Sequence, residues 1–136
     1  DNVNLEDHWI YVPAELAKNK ESCRYVPIHN KVYDLVKWFV DNSASYGHDK
    51  LMLNPNGSVI MYNNFVSRNL PRINKFMSVE HKFHDTRHTF ASKGTSAGIP
   101  ELYMQKIMGH TPRSILYNTY THITIPELLE WINQIP

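Results

Sequence analysis

Hydrophobic and polar positions divide this chain into a short β part and a longer helical part. Residues 4–12 alternate loosely and include the letters WIYV, and residues 24–28 return to β-type side chains. The segment between them is polar and carries lysines, which predicts a loop. Period-two alternation on both sides of such a loop predicts an antiparallel β-hairpin over about residues 4–28.

Intervals of three and four between apolar residues predict helices along the rest of the chain, about residues 31–136. The segment 31–42 predicts an amphipathic helix with a buried face. Further helices are predicted over residues 62–77, 83–97 and 100–108. The apolar positions that define the first two periods are Val32, Leu35, Val36, Phe39, Val40, Phe65, Leu70, Ile73 and Phe76.

Proline and glycine indicate where these helices are interrupted or end. Pro71 lies inside the second helical period, so we expect it to kink or restart that helix. Gly98 and Gly109 follow the last periodic residues of the next two helices and are expected to end them. Residues 42–56 are rich in Ser, Asn, Gly and Asp, which predicts loops around a short apolar patch.

The C-terminal segment predicts two more short helices. Residues 112–120 read as a helix or a helix-like turn. Thr124 is suited to cap the last helix, with Pro126 in its first turn. The apolar stripe of that helix, formed by Leu128, Leu129, Trp131 and Ile132, is wide. We expect it either to fold back on the core of its own chain or to dock on a neighbouring subunit.

Length and composition predict one globular domain. The 136 residues are 42% hydrophobic and 20% charged, as in folded chains with a core of their own. No apolar run approaches the roughly 18 residues that a membrane span needs, and the N-terminus lacks the form of a signal peptide. The single cysteine, Cys23, cannot form an internal disulfide. We therefore expect a mainly α protein with a small antiparallel β-hairpin or sheet near its N-terminus, located in the cytoplasm without a membrane partner.

Positive charge is concentrated in one stretch although the net charge is only +1. Residues 62–93 carry six Lys or Arg against two Asp or Glu, whereas residues 1–61 carry six against eight. Such a patch suits a phosphate backbone, and a solvated helix face would look the same. The candidate DNA-binding residues in it are Arg68, Arg72, Lys75 and Lys82, of which the first three would share the outer face of the helix predicted over residues 62–77.

The densest set of reactive side chains lies between His81 and His122. His84 and Arg87 are three residues apart at the start of a predicted helix, so both should project from one face. His110 follows the glycine that ends the next helix, and Tyr120 lies about ten residues further on. Arginine binds phosphate with two donors, histidine can move a proton and tyrosine carries a nucleophilic hydroxyl. Together they suggest phosphoryl transfer to a tyrosine.

Three blocks of this stretch resemble the C-terminal signature of the tyrosine recombinase or phage integrase family. The blocks read HDTRHTFAS from His84, MGH from Met108 and YTH from Tyr120. They occur in the family's order and at compatible spacings, which is more specific than any one block. The resemblance implies the catalytic-domain fold of that family, in which this chain would be the part from the β-hairpin onward.

The family's catalytic roles carry over to five positions. Tyr120 would attack a DNA phosphodiester to give a 3′-phosphotyrosyl link, without a metal or other cofactor. Arg87, His84 and His110 would hold the phosphate, and Lys18, in the loop of the β-hairpin, would protonate the leaving oxygen. Lys20 is the alternative to Lys18. Tyr117 is the alternative nucleophile, although the sequence T-Y-T-H favours Tyr120.

The resemblance also implies parts that precede this chain. The family requires another catalytic arginine about twenty residues before the first strand, and a core-binding domain before that. No residue of this sequence fits that arginine, since Arg24 lies in the wrong position. We therefore expect a partial catalytic domain of a longer integrase. The implied partners are double-stranded DNA at a recombination site and further subunits, four on the DNA, with C-terminal helices contacting neighbours.

Two other functions compete with recombination. His84 and His88 stand four apart, as in the zinc motif H-E-x-x-H, but Asp85 replaces the glutamate and Arg87 would repel a metal ion. The stronger alternative is a DNA-binding or interaction module, derived from a recombinase, that does not catalyse. Such a module would bind DNA through the basic patch and would not need Tyr120.

Overall fold

The computed structural model describes residues 2–17, 22–110 and 122–136. The chain divides into two units, one formed by Asp1–Asp34 with Ala91–Pro136 and the other by Leu35–Phe90. Its strands and helices, in chain order, are β1 (Val3–Asn4), β2 (Trp9–Val12), β3 (Arg24–Pro27), α1 (Asn30–Ser45), α2 (Tyr62–Asn64), a π-helix (Phe65–Asn69), α3 (Leu70–Asn74), α4 (Asp85–Ser96), α5 (Glu101–Met108) and α6 (Ile125–Ile132).

The predicted hairpin is present as part of a three-stranded antiparallel sheet with the order β1-β2-β3. In the β2–β3 pair, Trp9 lies opposite Pro27 and Val12 opposite Arg24. The prediction of one strand from Asn4 to Val12 is wrong, because the chain turns back between β1 and β2. The Asn4 side chain accepts a hydrogen bond from the backbone N–H of Asp7 (2.8 Å), so a short polar side chain completes that turn.

The first unit, Asp1–Asp34 with Ala91–Pro136, holds most of the buried apolar side chains that the structure describes. Helices α5 and α6 pack on β3 and on each other. Their interface is a small aliphatic core, and such a core excludes water without needing polar partners. It contains Ile28, Ile99, Met104, Ile107, Leu128 and Ile132.

Helix α6 begins as the sequence predicts. The Thr124 hydroxyl accepts from the backbone N–H of Glu127, and the Glu127 carboxylate accepts from the Thr124 N–H at 2.7 Å, which completes a capping box. Leu128 and Ile132 are buried, and Trp131 packs on Tyr103 with 5.5 Å between ring centroids. The apolar stripe therefore folds back on its own chain, the first of the two predicted outcomes, and contact with a neighbouring subunit stays a prediction.

The second unit, Leu35–Phe90, confirms a helix after the hairpin but not its predicted end. Helix α1 continues to Ser45, so residues 42–45 are helical and the predicted loop starts later. Ser43 is buried, and its hydroxyl donates to the carbonyls of His48 (3.0 Å) and Lys50 (2.6 Å). These bonds hold the loop that follows α1 against the end of the helix.

Pro71 restarts its helix, as predicted. The π-helix Phe65–Asn69 lies immediately before α3, and Pro71 falls in the first turn of α3. Proline has no N–H and crowds the carbonyl four residues earlier, which a regular α-helix cannot accommodate. The wider π turn is a common local solution where the ladder of hydrogen bonds is interrupted.

Several apolar positions predicted to be inside are exposed. Val32 and Leu35 on α1 are 43% and 54% exposed, and Phe76 is 90% exposed. A helical period predicts which side of a helix is apolar, but burial also requires a second element against that side. For Phe76 the reason is local, because α3 ends at Asn74 rather than near residue 77. No helix within the described ranges is long and apolar enough to cross a bilayer.

Candidate active site

The site predicted around His84 lies at the start of α4, in the unit Leu35–Phe90. The helix begins at Asp85 and not at residue 83, so His84 occupies the turn before it. The His84 carbonyl accepts from the N–H of Arg87 (3.0 Å) and of His88 (3.4 Å). His84 and Arg87 are therefore one helical turn apart, as the sequence predicts.

The side chains at this turn differ in exposure. His84 and His88 are exposed, and their rings meet edge to face with 5.0 Å between centroids. Arg87 is half-buried. An exposed imidazole and a half-buried guanidinium one turn apart at the N-terminal end of a helix can bind an anion, because donors and the helix dipole favour negative charge there.

Two side chains hold the segment that leads to His84. The Asn74 amide donates to the His81 carbonyl (2.8 Å), and its oxygen accepts from the His81 N–H (3.2 Å). The Asp85 carboxylate accepts from the Lys82 N–H (2.9 Å) and lies 3.4 Å from the His81 ring. The hydrogen bond from Lys82, together with His81, lowers the pKa of Asp85. Motif comparison singled out neither Asn74 nor Asp85 as a site residue.

His110 lies in the other unit, after α5. Gly109 adopts a left-handed conformation with φ 67°, and the His110 N–H donates to the Gln105 carbonyl (3.0 Å). With the bond from Gly109 to Lys106, this is a Schellman motif, and it confirms Gly109 as the end of the helix. His110 is exposed and its backbone position is fixed by this turn.

Arg24 braces the same turn from β3. Its Nε donates to the Ile107 carbonyl (2.9 Å), and one terminal nitrogen donates to the Ser22 carbonyl (2.9 Å). The guanidinium lies so close to Gly109 that a Cβ there would be 2.6 Å from Nη1. Arg24 thus links the hairpin to the end of α5, a role that no sequence pattern indicated.

The remaining predicted site residues fall into two groups. Lys18 and Tyr120, with their alternatives Lys20 and Tyr117, lie outside the residues that the structure describes. Four candidate DNA-binding residues are described, and all four are exposed. They are Arg68 in the π-helix, Arg72 in α3, Lys75 directly after α3, and Lys82. A shared outer face for the first three stays a prediction, because the π-helix changes the α-helical spacing between them.

Arg68 also lines a small cavity of about 160 Å³ within the unit Leu35–Phe90. Asn64 and Asn69 border it from the same helical stretch, and Asn54 borders it from the preceding loop. Within the described ranges, no three His, Cys, Asp or Glu side chains lie close enough together to share a metal ion.

Comparison with known proteins identifies the class. Residues 1–126 match the phage integrase family, and the chain belongs to that family. It is similar to a "Tyrosine recombinase XerC-like" protein of Caldanaerobacter subterraneus subsp. tengcongensis, with 26% identity over 123 residues. That match covers 80% of this chain and 31% of the relative, so the chain spans about a third of the relative's length. No solved structure matches the chain.

Proposed function

We propose that this chain is the later part of the catalytic domain of a site-specific tyrosine recombinase. The observation that carries the proposal is the family match over residues 1–126, which includes the blocks at His84, His110 and Tyr120. The described geometry supports it, because His84 and Arg87 stand one turn apart at the start of a helix. A preceding segment of the parent protein supplies the core-binding domain and one further catalytic arginine.

The side chains at the start of α4 stabilise the phosphate. Attack on a phosphodiester adds negative charge to its non-bridging oxygens, and a preorganised donor is commonly worth about 3 kcal/mol in the transition state. Arg87 contributes a planar pair of donors, and its partial burial limits competition from water. His84 also donates to the phosphate and can accept the proton of the nucleophile, and the family resemblance makes His110 a further candidate donor.

The covalent step exchanges one phosphoester bond for another. The Tyr120 oxygen forms a bond to phosphorus while the bond from phosphorus to the 5′-oxygen breaks. The tyrosine proton passes to a nearby base, and Lys18 protonates the 5′-oxygen. Because the bond energy is kept in the 3′-phosphotyrosyl link, attack by a second 5′-hydroxyl reverses the step and joins a new strand. No metal, nucleotide or other cofactor is required.

The exposed basic row binds the DNA backbone. Arg68, Arg72 and Lys75 are exposed and stand four and three residues apart, and Lys82 lies just before the catalytic turn. Basic side chains that neutralise DNA phosphates release the counterions bound there. This release favours binding whatever the base sequence is. We propose that the active complex is a tetramer on paired DNA sites, in which C-terminal segments contact neighbouring subunits.

A covalent trap tests the nucleophile. The full-length parent protein is incubated with a nicked duplex carrying its recombination site, and adducts are separated on a denaturing gel. Loss of the nicked fragment prevents religation, so the adduct accumulates. Each Tyr→Phe change removes only a hydroxyl. We expect an adduct with the wild type and with Tyr117→Phe, and none with Tyr120→Phe, because the Tyr120 hydroxyl is the nucleophile in this proposal.

Other outcomes support different conclusions. An adduct lost with Tyr117→Phe but kept with Tyr120→Phe would assign the nucleophile to Tyr117. Duplex binding without an adduct in any version would favour the alternative function, a DNA-binding module that does not catalyse. The exposed row of three basic residues is the observation on which that alternative stands.

A further inference from the structure

We infer that Asn74 and Asp85 are positioning residues that hold the backbone of His81 and Lys82 and thereby set the place of His84. The inference rests on the proposed function, because it gives His84 a phosphate to reach. It concerns contacts inside the unit Leu35–Phe90 only.

Asn74 fixes His81 from the end of α3. Its amide nitrogen and oxygen bond to the carbonyl and the N–H of the same residue, at 2.8 and 3.2 Å. A side-chain amide that pairs with both backbone groups of one residue fixes the orientation of that residue as well as its distance. The ten-residue connection between α3 and α4 is therefore tied down three residues before His84.

Asp85 fixes Lys82 from the start of α4. Its carboxylate accepts from the Lys82 N–H at 2.9 Å, so the first residue of α4 holds the backbone three positions before it. The hydrogen bond from Lys82 lowers the pKa of Asp85, and its carboxylate is ionised at neutral pH. A charged acceptor makes this bond stronger than a neutral one.

Packing supports the remaining residue of the turn. The Phe83 ring meets Tyr62 and Phe65 edge to face, at 5.6 and 5.8 Å between centroids. The residues before His84 are thus fixed in turn by an amide, a carboxylate and an aromatic contact, whereas the His84 side chain itself is exposed. The His84 imidazole meets the His88 ring but is otherwise exposed, so the backbone before it contributes to where the imidazole lies.

The catalytic consequence follows from the sensitivity of reactions to geometry. A displacement of about 1 Å can cost on the order of 100-fold in rate. Release of the Lys82 N–H or of His81 lets the turn before α4 move, while α4 keeps its internal hydrogen bonds. The reduction in rate should therefore appear in the chemical step, and it should depend on the presence of the His84 side chain.

A double-mutant cycle separates positioning from general stability. Asp85→Ala and Asn74→Ala are each made in the full-length wild type and in His84→Ala, and single-turnover adduct formation is measured at saturating DNA on the nicked duplex. We expect each change to slow the wild type by about 10-fold or more, and to slow His84→Ala by less than about twofold. Equal losses in both backgrounds would overturn the inference.

Two further variants calibrate the cycle. Asp85→Asn keeps a hydrogen-bond acceptor of the same length, so it should recover most of the rate lost in Asp85→Ala. Asp49→Ala removes an exposed aspartate of the same unit, whose carboxylate bonds to Lys50. It should leave the rate unchanged.

Amide hydrogen exchange tests the contacts without reference to catalysis. In Asp85→Ala, the Lys82 amide should exchange about fivefold faster or more, and in Asn74→Ala the same holds for His81, while amides in the middle of α4 keep their protection. Equal exchange in wild type and variants would show that Asn74 and Asp85 do not hold the backbone of His81 and Lys82. If no version forms an adduct, the proposed function and the catalytic consequence fail together. Amide hydrogen exchange then still decides whether Asn74 and Asp85 hold the backbone of His81 and Lys82.

Discussion

Gly109 shows how one residue can serve both the backbone and a neighbouring side chain. Its positive φ lets α5 end in a Schellman motif directly before His110. The lack of a Cβ also leaves room for the Arg24 guanidinium, which bonds to the last turn of the same helix. The sequence predicted the first requirement, because glycine after a helical period is a stop signal, but contained no sign of the second.

We predict that Gly109→Ala destabilises the protein more than Gly98→Ala does. Both glycines end a helix with positive φ, so both changes should cost about 1 kcal/mol of backbone strain. A Cβ at Gly98 meets nothing within 4 Å, whereas one at Gly109 meets Arg24. The clash should add about 1–3 kcal/mol. Urea denaturation measures both variants, and equal losses would show that Arg24 moves aside freely.

At the scale of elements, local chemistry decides where helices start. The cap of α6 at Thr124 was predicted from Thr124 and Pro126, because capping involves residues only a few positions apart, and the structure adds Glu127 as the second half of a capping box. The start of α4 was predicted two residues early, since His81, Lys82 and Asp85 form a turn whose hydrogen bonds a hydrophobic period does not reveal.

We predict a pH-dependent contribution from the α6 cap. Hydrogen bonds from the Thr124 hydroxyl and N–H lower the pKa of Glu127. A lowered pKa means that the ionised cap stabilises the fold above the ordinary glutamate value of about 4.3 and that this stability is lost as the pH falls through the folded-state pKa. The melting temperature of Glu127→Gln should therefore lie below wild type at pH 7 and approach it as the pH falls below the folded-state pKa.

Glu130→Gln is the matched control for that experiment. Glu130 lies on the same helix, and its carboxylate bonds to no described residue. Its replacement should give a smaller difference from wild type at pH 7. A difference for Glu127→Gln that stays constant from pH 7 to pH 3 would contradict the assigned role of the carboxylate.

We predict that the basic row contributes to DNA binding mainly through phosphate contacts. Lys75→Ala should lower the slope of log affinity against log salt by about 0.9, the value for one neutralised phosphate on duplex DNA. Lys31→Ala, at an exposed lysine on α1 outside the row, should leave the slope unchanged. Binding to a mixed-sequence duplex over a salt series measures both. The same slope for Lys75→Ala as for wild type would remove Lys75 from the interface.

At the scale of the whole molecule, apolar burial is distributed unevenly. Among described residues, the buried hydrophobic side chains lie in the unit of Asp1–Asp34 with Ala91–Pro136, except Leu53. Most large exposed apolar side chains lie in Leu35–Phe90 instead, including Leu35, Trp38 and Phe76. Equal hydrophobicity in the sequence therefore does not mean equal contribution to stability.

We predict opposite outcomes for two large apolar residues. Leu128→Ala should cost about 2–5 kcal/mol, because Leu128 is 2% exposed and its removal leaves a cavity. Phe76→Ala should change stability by no more than about 0.5 kcal/mol, because its side chain already faces solvent. Denaturant midpoints measure both. A cost for Phe76→Ala close to that of Leu128→Ala would mean that Phe76 is buried in solution.

The sequence alone determined the features that depend on neighbouring residues. The hairpin partners, the restart at Pro71, the helix ends at Gly98 and Gly109 and the Thr124 cap all follow from local backbone chemistry. The spacing of His84 and Arg87 follows from the helical repeat. The reactive side chains were recognisable because their chemistry is specific and their order in the chain matches a family.

Only the tertiary structure decided which groups meet across long separations. Arg24 reaches the Ile107 carbonyl across 83 positions, and Asn74 meets His81 only because a connection folds back. Burial was decided in the same way, since Val32 and Leu128 are both apolar helix residues, and Leu128 is buried whereas Val32 is 43% exposed. The physical reason is that periodicity fixes the direction of a side chain, whereas contact and burial depend on what the rest of the chain places there.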